Sequence, residues 1–213
     1  GDFYEMFFED AQTASRELEL TLSGKDCGLD ERAPMCGVPF HAVDSYISRL
    51  IEKGYKVAIC EQMTDPALSK GLVERDIIRI VTPGTLTDPG VIGERRNNYL
   101  LSACVAGRRI GLAYCDVTTG EMYARVIQNT ERELRGALAT IMPSEIITND
   151  PATIAPCAQI KCFAYKDSAF HTQSARETLT EHFHVGSLMA LGLDTSLSPA
   201  TSALGALMSY LNE

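Results

Sequence analysis

The amino-terminal residues Gly1-Asp2-Phe3-Tyr4-Glu5-Met6-Phe7 hold the most specific arrangement of chemical groups in this sequence. One residue separates Phe3 from Glu5, so on an extended strand both side chains point to one face while Tyr4 points to the other. The ring offers a stacking surface, and an ionised carboxylate can only accept hydrogen bonds. On composition alone, the simpler interpretation is a core strand whose phenylalanines are buried.

The other candidates for chemistry are weaker. His182 and His184 would share a face only on a strand, and the local pattern is that of a helix end, which favours a solvated terminus. Asp116 follows an apolar strand, but metal-assisted phosphodiester chemistry needs further converging carboxylates, so a turn residue is favoured. The sequence also lacks the GxxxxGK[S/T], GxGxxG and GxSxG motifs of nucleotide-binding and hydrolase sites.

The composition is that of an ordinary globular chain long enough for two domains, with 213 residues, 45% hydrophobic and 22% charged. The net charge is −9, and residues 1–90 carry 9 Lys/Arg against 16 Asp/Glu. This balance excludes a basic body that binds nucleic acid mainly through phosphates, and it excludes a polybasic membrane anchor. No apolar run approaches the roughly 20 residues of a membrane span. Any contact with nucleic acid must therefore be a local site.

The seven cysteines include no CxxC pair, and Cys60 and Cys104 lie within apolar stretches. This pattern predicts free thiols in a reducing cytosol and does not favour a zinc site. The chain starts at Gly1 rather than Met, with no secretory signal after it. We interpret it as an internal fragment of a longer protein.

Hydrophobic periodicity predicts strands first and helices later, which suggests an α/β or α+β fold with a mixed sheet. Residues 34–41 carry two prolines and a glycine, which predict an ordered turn, whereas 56–61 reads as a buried strand. Two Pro-Gly pairs in residues 82–90 indicate a domain boundary. Strands are predicted at 3–8, 20–23, 56–61, 76–81, 99–105, 109–116, 121–127, 145–148 and 161–165, and helices at 9–19, 43–51, 131–141, 174–183 and 198–210.

Four segments, taken in order, resemble the MutS family of DNA mismatch-repair proteins. The family carries GDFYE(L/M)F, PMxGxPxHA, VAxxEQ and R(I/V)VTPGT. The corresponding segments here are GDFYEMF at 1–7, PMCGVPFHA at 34–42, VAICEQ at 57–62 and RIVTPGT at 79–85. The later segment GLAYCDVTTGE at 111–121 is similar, more loosely, to part of the family's connector domain. The resemblance therefore covers the whole chain, strongly to residue 87 and moderately beyond it.

The resemblance implies an α/β fold in two parts. Residues 1–84 are expected to form a mixed-sheet, MutS domain I-like recognition domain that lacks its amino-terminal part. Residues 85–95 would be a linker, and residues 96–213 a ribonuclease-H-like connector domain. The carboxylate cluster of catalytic ribonuclease H domains has no counterpart here, so no nuclease activity is expected.

The resemblance also implies roles for individual residues. Phe3 corresponds to the ring that wedges into the mispaired step, and Glu5 to the carboxylate that contacts the mispaired base. Lys25 falls in a loop where the family has a basic contact to the DNA backbone. Lys70 and Arg75 are weaker candidates for DNA binding, since ordinary solvated charges explain them equally well. His41 and the Met35–Pro39 turn would either form the surface behind the Phe3 ring or have a purely structural role.

The partners implied by the resemblance are mismatched double-stranded DNA, MutL and, in the full-length protein, a second copy in a homodimer. ATP and Mg are bound by regions of the full-length protein outside this chain. The fragment is therefore expected not to be an enzyme and to bind no cofactor. The expected location is the bacterial cytosol, in association with the nucleoid and not with a membrane. Two alternatives stay open, namely a ribonuclease-H-like nuclease and a scaffold that only docks proteins.

Overall fold

Two compact units make up the chain, residues 1–83 and 84–213. The computed structural model describes residues 2–28, 31–63, 73–86 and 97–213. Most of the predicted linker, residues 85–95, lies outside this part of the chain, so the linker stays a prediction. Each unit is described below by itself.

The first unit pairs a three-stranded sheet with two helices. Its strands are β1 (Phe3–Phe7), β2 (Ser23–Lys25), β3 (Ala33–Pro39), β4 (Val57–Gln62) and β5 (Arg75–Val81), and its helices are α1 (Phe8–Leu18) and α2 (Val43–Glu52). The described strands pair antiparallel, in the order β1-β3-β2 for one sheet and β4-β5 for a second. The predicted strand at 20–23 lies further along the chain, as β2.

Helix α1 forms because its apolar residues recur on one side. Ala11, Ala14 and Leu18 are buried at spacings of three and four residues, and the helix ends at Glu19, which has a left-handed backbone (φ +59°). With Cys36 of β3 and Leu50 of α2 they form the small core of this unit. One face of the three-stranded sheet is therefore covered by helices.

The prediction of a turn at 34–41 was wrong, because most of this segment is strand β3, the central strand of its sheet. Its prolines stand near the two ends of the strand, Pro34 opposite Gly24 and Pro39 opposite Phe3. A proline near a strand end removes few ladder hydrogen bonds, which is why the central residues still pair fully with β1. A short 3-10 turn, Phe40–Ala42, follows the strand.

Strands β4 and β5 form a two-stranded ribbon, and the predicted strands at 56–61 and 76–81 are confirmed in position. The prediction that 56–61 is buried was wrong, since exposure alternates along β4 and β5 is exposed from Arg75 to Ile80. The cross-strand pairs Ala58–Ile80 and Cys60–Ile77 place four apolar side chains on one exposed face.

The second unit is a five-stranded mixed sheet with helices on both faces. Its strands are β6 (Tyr99–Ala106), β7 (Arg109–Asp116), β8 (Glu121–Gln128), β9 (Glu145–Thr148) and β10 (Cys162–Ala164), and its helices are α3 (Glu131–Ile141), α4 (Pro151–Ile154), α5 (Thr172–His182) and α6 (Ser198–Leu211). The order is β10-β9-β6-β7-β8, antiparallel through β6, β7 and β8 and parallel through β6, β9 and β10. This confirms the α/β class with a ribonuclease-H-like second domain.

Helix α6 is buried on all sides because it lies between the sheet and α5. Every residue from Pro199 to Met208 is buried. The helix approaches β7 most closely at Gly111, where an added Cβ would overlap the Pro199 carbonyl group. A second close approach is at Gly205, where an added Cβ would overlap Ala175 of α5. The two glycines set how near the helix lies to its neighbours.

Asp116, at the end of β7, is 1% exposed and organises the following turn. Its carboxylate accepts hydrogen bonds from the backbone N–H groups of Asn98 (3.0 Å) and Thr118 (2.9 Å) and from the Thr118 hydroxyl (2.6 Å). Burial acts to raise the pKa of Asp116, but these hydrogen bonds outweigh it and lower the pKa below its ordinary value. The carboxylate is therefore engaged in structure, as favoured from the sequence.

Replacing Asp116 by asparagine is expected to lower the free energy of unfolding of the second unit by about 2 kcal/mol at neutral pH. A lowered pKa in the folded state means that the stabilisation is present above about pH 4 and is lost as the pH falls through the folded-state pKa. Asp116→Asn should therefore also flatten the loss of stability below pH 4. Urea unfolding at a series of pH values measures both effects.

A suitable control is Asp10→Asn, which changes an exposed carboxylate on α1 of the first unit. It should leave the unfolding of the second unit unchanged. Equal stability of Asp116→Asn and the unsubstituted chain at neutral pH would contradict the structural role given to this carboxylate.

Candidate nucleic-acid interface

The face of the three-stranded sheet opposite the helices carries three of the side chains that the sequence singled out, Phe3, Glu5 and Lys25. Alternation along β1 puts Phe3, Glu5 and Phe7 on this face, and the register sets them opposite Pro39, Gly37 and Met35 of β3. Tyr4 and Met6 point the other way, toward the helices. We call the face that carries Phe3, Glu5, Phe7 and Lys25 the outer face.

Phe3, the first residue of β1, is 58% exposed, which is unusual for a large aromatic side chain in a paired strand. Its ring lies against Gly37, where an added Cβ would come within 3.6 Å of the ring carbon Cδ1 and 3.2 Å of the Tyr4 carbonyl oxygen. The ring therefore packs over the backbone at Gly37 and leaves more than half of its surface exposed.

Glu5 and Lys25 form an ion pair on the outer face. The Lys25 Nζ atom lies 2.8 Å from Oε2 of Glu5, with the two side chains 49% and 39% exposed. The same Nζ atom lies 5.2 Å from the centroid of the Phe7 ring, within cation–π range. The prediction that Lys25 lies in a loop was wrong, because it ends β2 opposite Ala33.

Tyr4 anchors strand β1 on the side away from the outer face. Its hydroxyl donates to the Glu61 carboxylate of β4, and its ring stacks on Phe40 with the centroids 5.6 Å apart. The hydrogen bond to the Glu61 carboxylate, with some burial, raises the pKa of the Tyr4 hydroxyl, which therefore stays protonated and able to donate. Strand β1 is held by these contacts while Phe3 and Glu5 remain free to face outward.

The structure does not bring all five predicted DNA-binding residues together. Phe3, Glu5 and Lys25 share the outer face, whereas Arg75 is the first residue of β5 in the other sheet, opposite Gln62. Lys70 lies outside the described residues, so its role stays a prediction.

The Met35–Pro39 segment and His41, expected to lie behind the Phe3 ring, do lie beside β1. Met35 and Pro39 stand directly opposite Phe7 and Phe3 in the sheet, and His41 is exposed in the 3-10 turn that follows. From the sequence, Gly37 has a role only as part of the Met35–Pro39 segment, and Phe7 has none. The alternation along β1 could have placed Phe7 beside Glu5, but the contact with Lys25 depends on pairing through β3.

Comparison with known families assigns both units. Residues 98–213 match the family model for MutS domain II, and residues 1–90 match the model for MutS domain I. The chain belongs to the MutS family. Only residues 91–97 lie outside the two MutS domains, so this stretch of sequence holds no ATPase domain.

Curated MutS relatives extend well beyond the chain described here. A DNA mismatch repair protein MutS of Ruminiclostridium cellulolyticum is 49% identical over 221 residues, and one of Lachnoclostridium phytofermentans is 47% identical over 219 residues. Both alignments cover 99% of this chain but only 25% and 23% of the relatives. A Clostridioides difficile relative is 57% identical over 150 residues, covering 70% of this chain and 16% of its own length. The chain spans about a quarter of the relatives' length.

Three further observations concern metals, thiols and membranes. Within the described residues, no group of three or more His, Cys, Asp or Glu side chains is placed to bind a metal ion. All seven cysteines are free, and burial raises the pKa values of the Cys104 and Cys115 thiols to about 11. Among the helices in the described ranges, none has the length and apolar character that crossing a membrane requires.

Proposed function

We propose that this chain recognises mispaired bases in double-stranded DNA during mismatch repair, with Phe3 as the wedge and Glu5 as the base contact. One observation carries the proposal. An exposed phenylalanine ring and a carboxylate stand two residues apart on the outer face of a sheet in a MutS domain I. Helices pack on the other face of this sheet, so the pair is presented on a paired and supported strand.

The chemistry of Phe3 suits a general mismatch sensor. A mispaired step stacks and pairs poorly, so kinking it costs less free energy than kinking a matched step. An apolar ring inserted from the minor groove converts that difference into discrimination. Stacking of a base on an aromatic ring is worth roughly 1–3 kcal/mol and tolerates any base. An exposed ring resting on Gly37 can make this movement.

Glu5 adds discrimination through its hydrogen bonds. It either accepts from a ring N–H that a matched pair would hide, or takes up a proton in the field of the DNA and donates to a ring nitrogen. In both cases matched DNA offers no partner, and the carboxylate is then left facing phosphates. A mispaired base offers the carboxylate a hydrogen-bond partner that offsets the cost of bringing it to a polyanion.

The basic residues have supporting roles in this proposal. Lys25, on the outer face, is placed to contact the DNA backbone, and Arg75 and Lys70 would add contacts from the second sheet and the segment before it. Few such contacts are available on a chain with a net charge of −9. Binding by these two domains alone should accordingly be weak and sensitive to salt.

The remaining proposals concern the longer protein. The connector domain would relay the DNA-bound state to ATPase regions that use ATP and Mg, and it would dock MutL. The complete protein would act as a homodimer in the bacterial cytosol, associated with the nucleoid. These proposals follow from the family and from the relatives' printed name, DNA mismatch repair protein MutS.

A direct test titrates the chain into a short duplex with a central G·T mispair and into the matched duplex. We expect measurable preference for the mispair at 50 mM salt and a Kd of about 10 µM or weaker at physiological salt. The same titration should use a chimera in which this chain replaces the matching segment of the R. cellulolyticum relative. Fluorescence anisotropy measures the affinity of the chain and of the chimera for each duplex.

Three results would contradict the proposal. Tight binding of the chain alone at physiological salt would contradict the expected weakness. Equal affinity of the chimera for both duplexes would contradict mismatch recognition, and with MutL binding retained it would favour the docking scaffold. Magnesium-dependent cleavage of either duplex would favour the nuclease.

A further inference from the structure

The ion pair between Lys25 and Glu5 has a consequence for discrimination that neither residue has alone. Each side chain is about half exposed, and exposed ion pairs contribute little to stability, with a typical value of about 0–1 kcal/mol. The pair can therefore exchange partners readily. On DNA, the Lys25 ammonium has two competing acceptors, the Glu5 carboxylate and a backbone phosphate.

Only differences between the two DNA-bound states can create selectivity, because the free chain is the same reference for both duplexes. A matched pair offers Glu5 no partner, so Glu5 retains Lys25. A mispaired base offers Glu5 a partner, which releases the ammonium. The released ammonium stays on the outer face because its Nζ atom also lies over the Phe7 ring, 5.2 Å from the centroid.

We propose that Lys25 is a specificity-determining residue that stays paired with Glu5 on matched DNA and passes to a backbone phosphate on mispaired DNA. The proposal rests on the function proposed above and adds a coupling between the base contact and the backbone contact. One extra phosphate contact then forms only when the base contact forms.

This exchange has a measurable signature in the salt dependence of binding. Each phosphate neutralised by a basic side chain changes the slope of log K against log[salt] by about −0.9. The slope should therefore be steeper by about 0.9 for the mispaired duplex than for the matched one. Between 50 and 200 mM salt, the ratio of the two affinities should fall about 3.5-fold.

The experiment compares five forms of the chain and of the chimera on the G·T and matched duplexes across this salt range. They are the unsubstituted form, Lys25→Gln, Lys25→Arg, Glu5→Gln and the double variant Lys25→Gln/Glu5→Gln.

The variants should differ in their salt slopes. Lys25→Gln should make the slopes for the two duplexes equal by weakening only the mispaired complex. Lys25→Arg should restore the difference between the slopes. Glu5→Gln should also make the slopes equal, but by strengthening the matched complex, and the added Lys25→Gln should remove that gain.

A control is Lys53→Gln, which breaks another Lys–Glu ion pair, with Glu17 (3.1 Å), away from the outer face. It should leave both slopes and their difference unchanged. Circular dichroism should be used to check that each variant is folded.

The outcomes separate this inference from the proposed function. If the unsubstituted form prefers the mispair but shows equal slopes, and Lys25→Gln weakens both complexes alike, Lys25 is an ordinary phosphate contact and the exchange is overturned. If the unsubstituted form shows no preference, the proposed function itself fails. A gain in matched affinity for Glu5→Gln that persists in the double variant would show plain charge repulsion and would also overturn the exchange.

Discussion

Replacing Phe3 by alanine is expected to reduce the preference of the chimera for mispaired over matched duplex to near one. The methyl group of alanine cannot stack on a base or hold a kinked step open. The lost stacking, roughly 1–3 kcal/mol, corresponds to about a fivefold to hundredfold loss of affinity for the mispaired duplex. Matched DNA gains little from the ring, so its affinity should hardly change.

Folding should be almost unaffected by Phe3→Ala, because the ring is more than half exposed. Substitutions of exposed residues usually change the free energy of unfolding by less than about 0.5 kcal/mol. A loss of discrimination in a fully folded variant would therefore report on recognition itself. Thermal unfolding of the chain, followed by circular dichroism, checks this condition.

Competition anisotropy measures the affinity ratio, and 2-aminopurine beside the mispair reports insertion, because its fluorescence rises when the base stack opens. Phe183→Ala is the control, because it removes an exposed ring (38%) from the second unit and leaves the contacts that hold β1 in place. It should keep both the affinity ratio and the fluorescence rise. Unchanged discrimination by Phe3→Ala would remove the wedge from the proposed mechanism.

Replacing Gly111 by alanine is expected to cause the largest loss of stability in the second unit, about 3 kcal/mol. An added Cβ would overlap the Pro199 carbonyl group and the Ala200 nitrogen, which are backbone atoms and cannot rotate away. Helix α6 would have to withdraw from β7, which would open gaps around the buried Leu204 and Leu207. The intrinsic gain of alanine over glycine in a strand, about 0.5–1 kcal/mol, is too small to offset this.

Gly136→Ala is the control for Gly111→Ala, because it makes the same chemical change with the opposite expected sign. Gly136 lies within α3, and no atom is close to where its Cβ would be. Alanine there should stabilise the unit by about 0.5–1 kcal/mol through helix propensity. Differential scanning calorimetry should show a lower Tm for Gly111→Ala and a higher Tm for Gly136→Ala. Equal Tm values for both would show that α6 does not lie against β7.

Much of the fold could be predicted from periodicity. The helices at 43–51, 131–141 and 198–210 and the meander of β6, β7 and β8 lie within a few residues of their predicted positions. Strand β3 is not evident from the sequence, because the two prolines and the glycine in residues 34–41 are typical of a turn. Whether a proline interrupts a strand depends on which neighbour that residue faces, and this is known only once β1 and β2 are paired with it.

The candidate site was predictable only in part, for the same reason. The shared face of Phe3 and Glu5 follows from local alternation along one strand. The contact between Lys25 and Glu5 joins residues 20 positions apart through a third strand, so it depends on a register that no local pattern specifies. The support that Gly37 gives to the Phe3 ring depends on the same pairing.

The exposed apolar side of the β4–β5 ribbon has a practical consequence for handling this protein. Ile77 and Ile80 are each about half exposed, and two-stranded ribbons with such a side readily associate with copies of themselves. The purified protein should self-associate first through this ribbon when it is concentrated or warmed. Cooling should reverse this association, because apolar association weakens at low temperature. The neighbouring charges of Arg75, Asp76 and Arg79 should slow the onset.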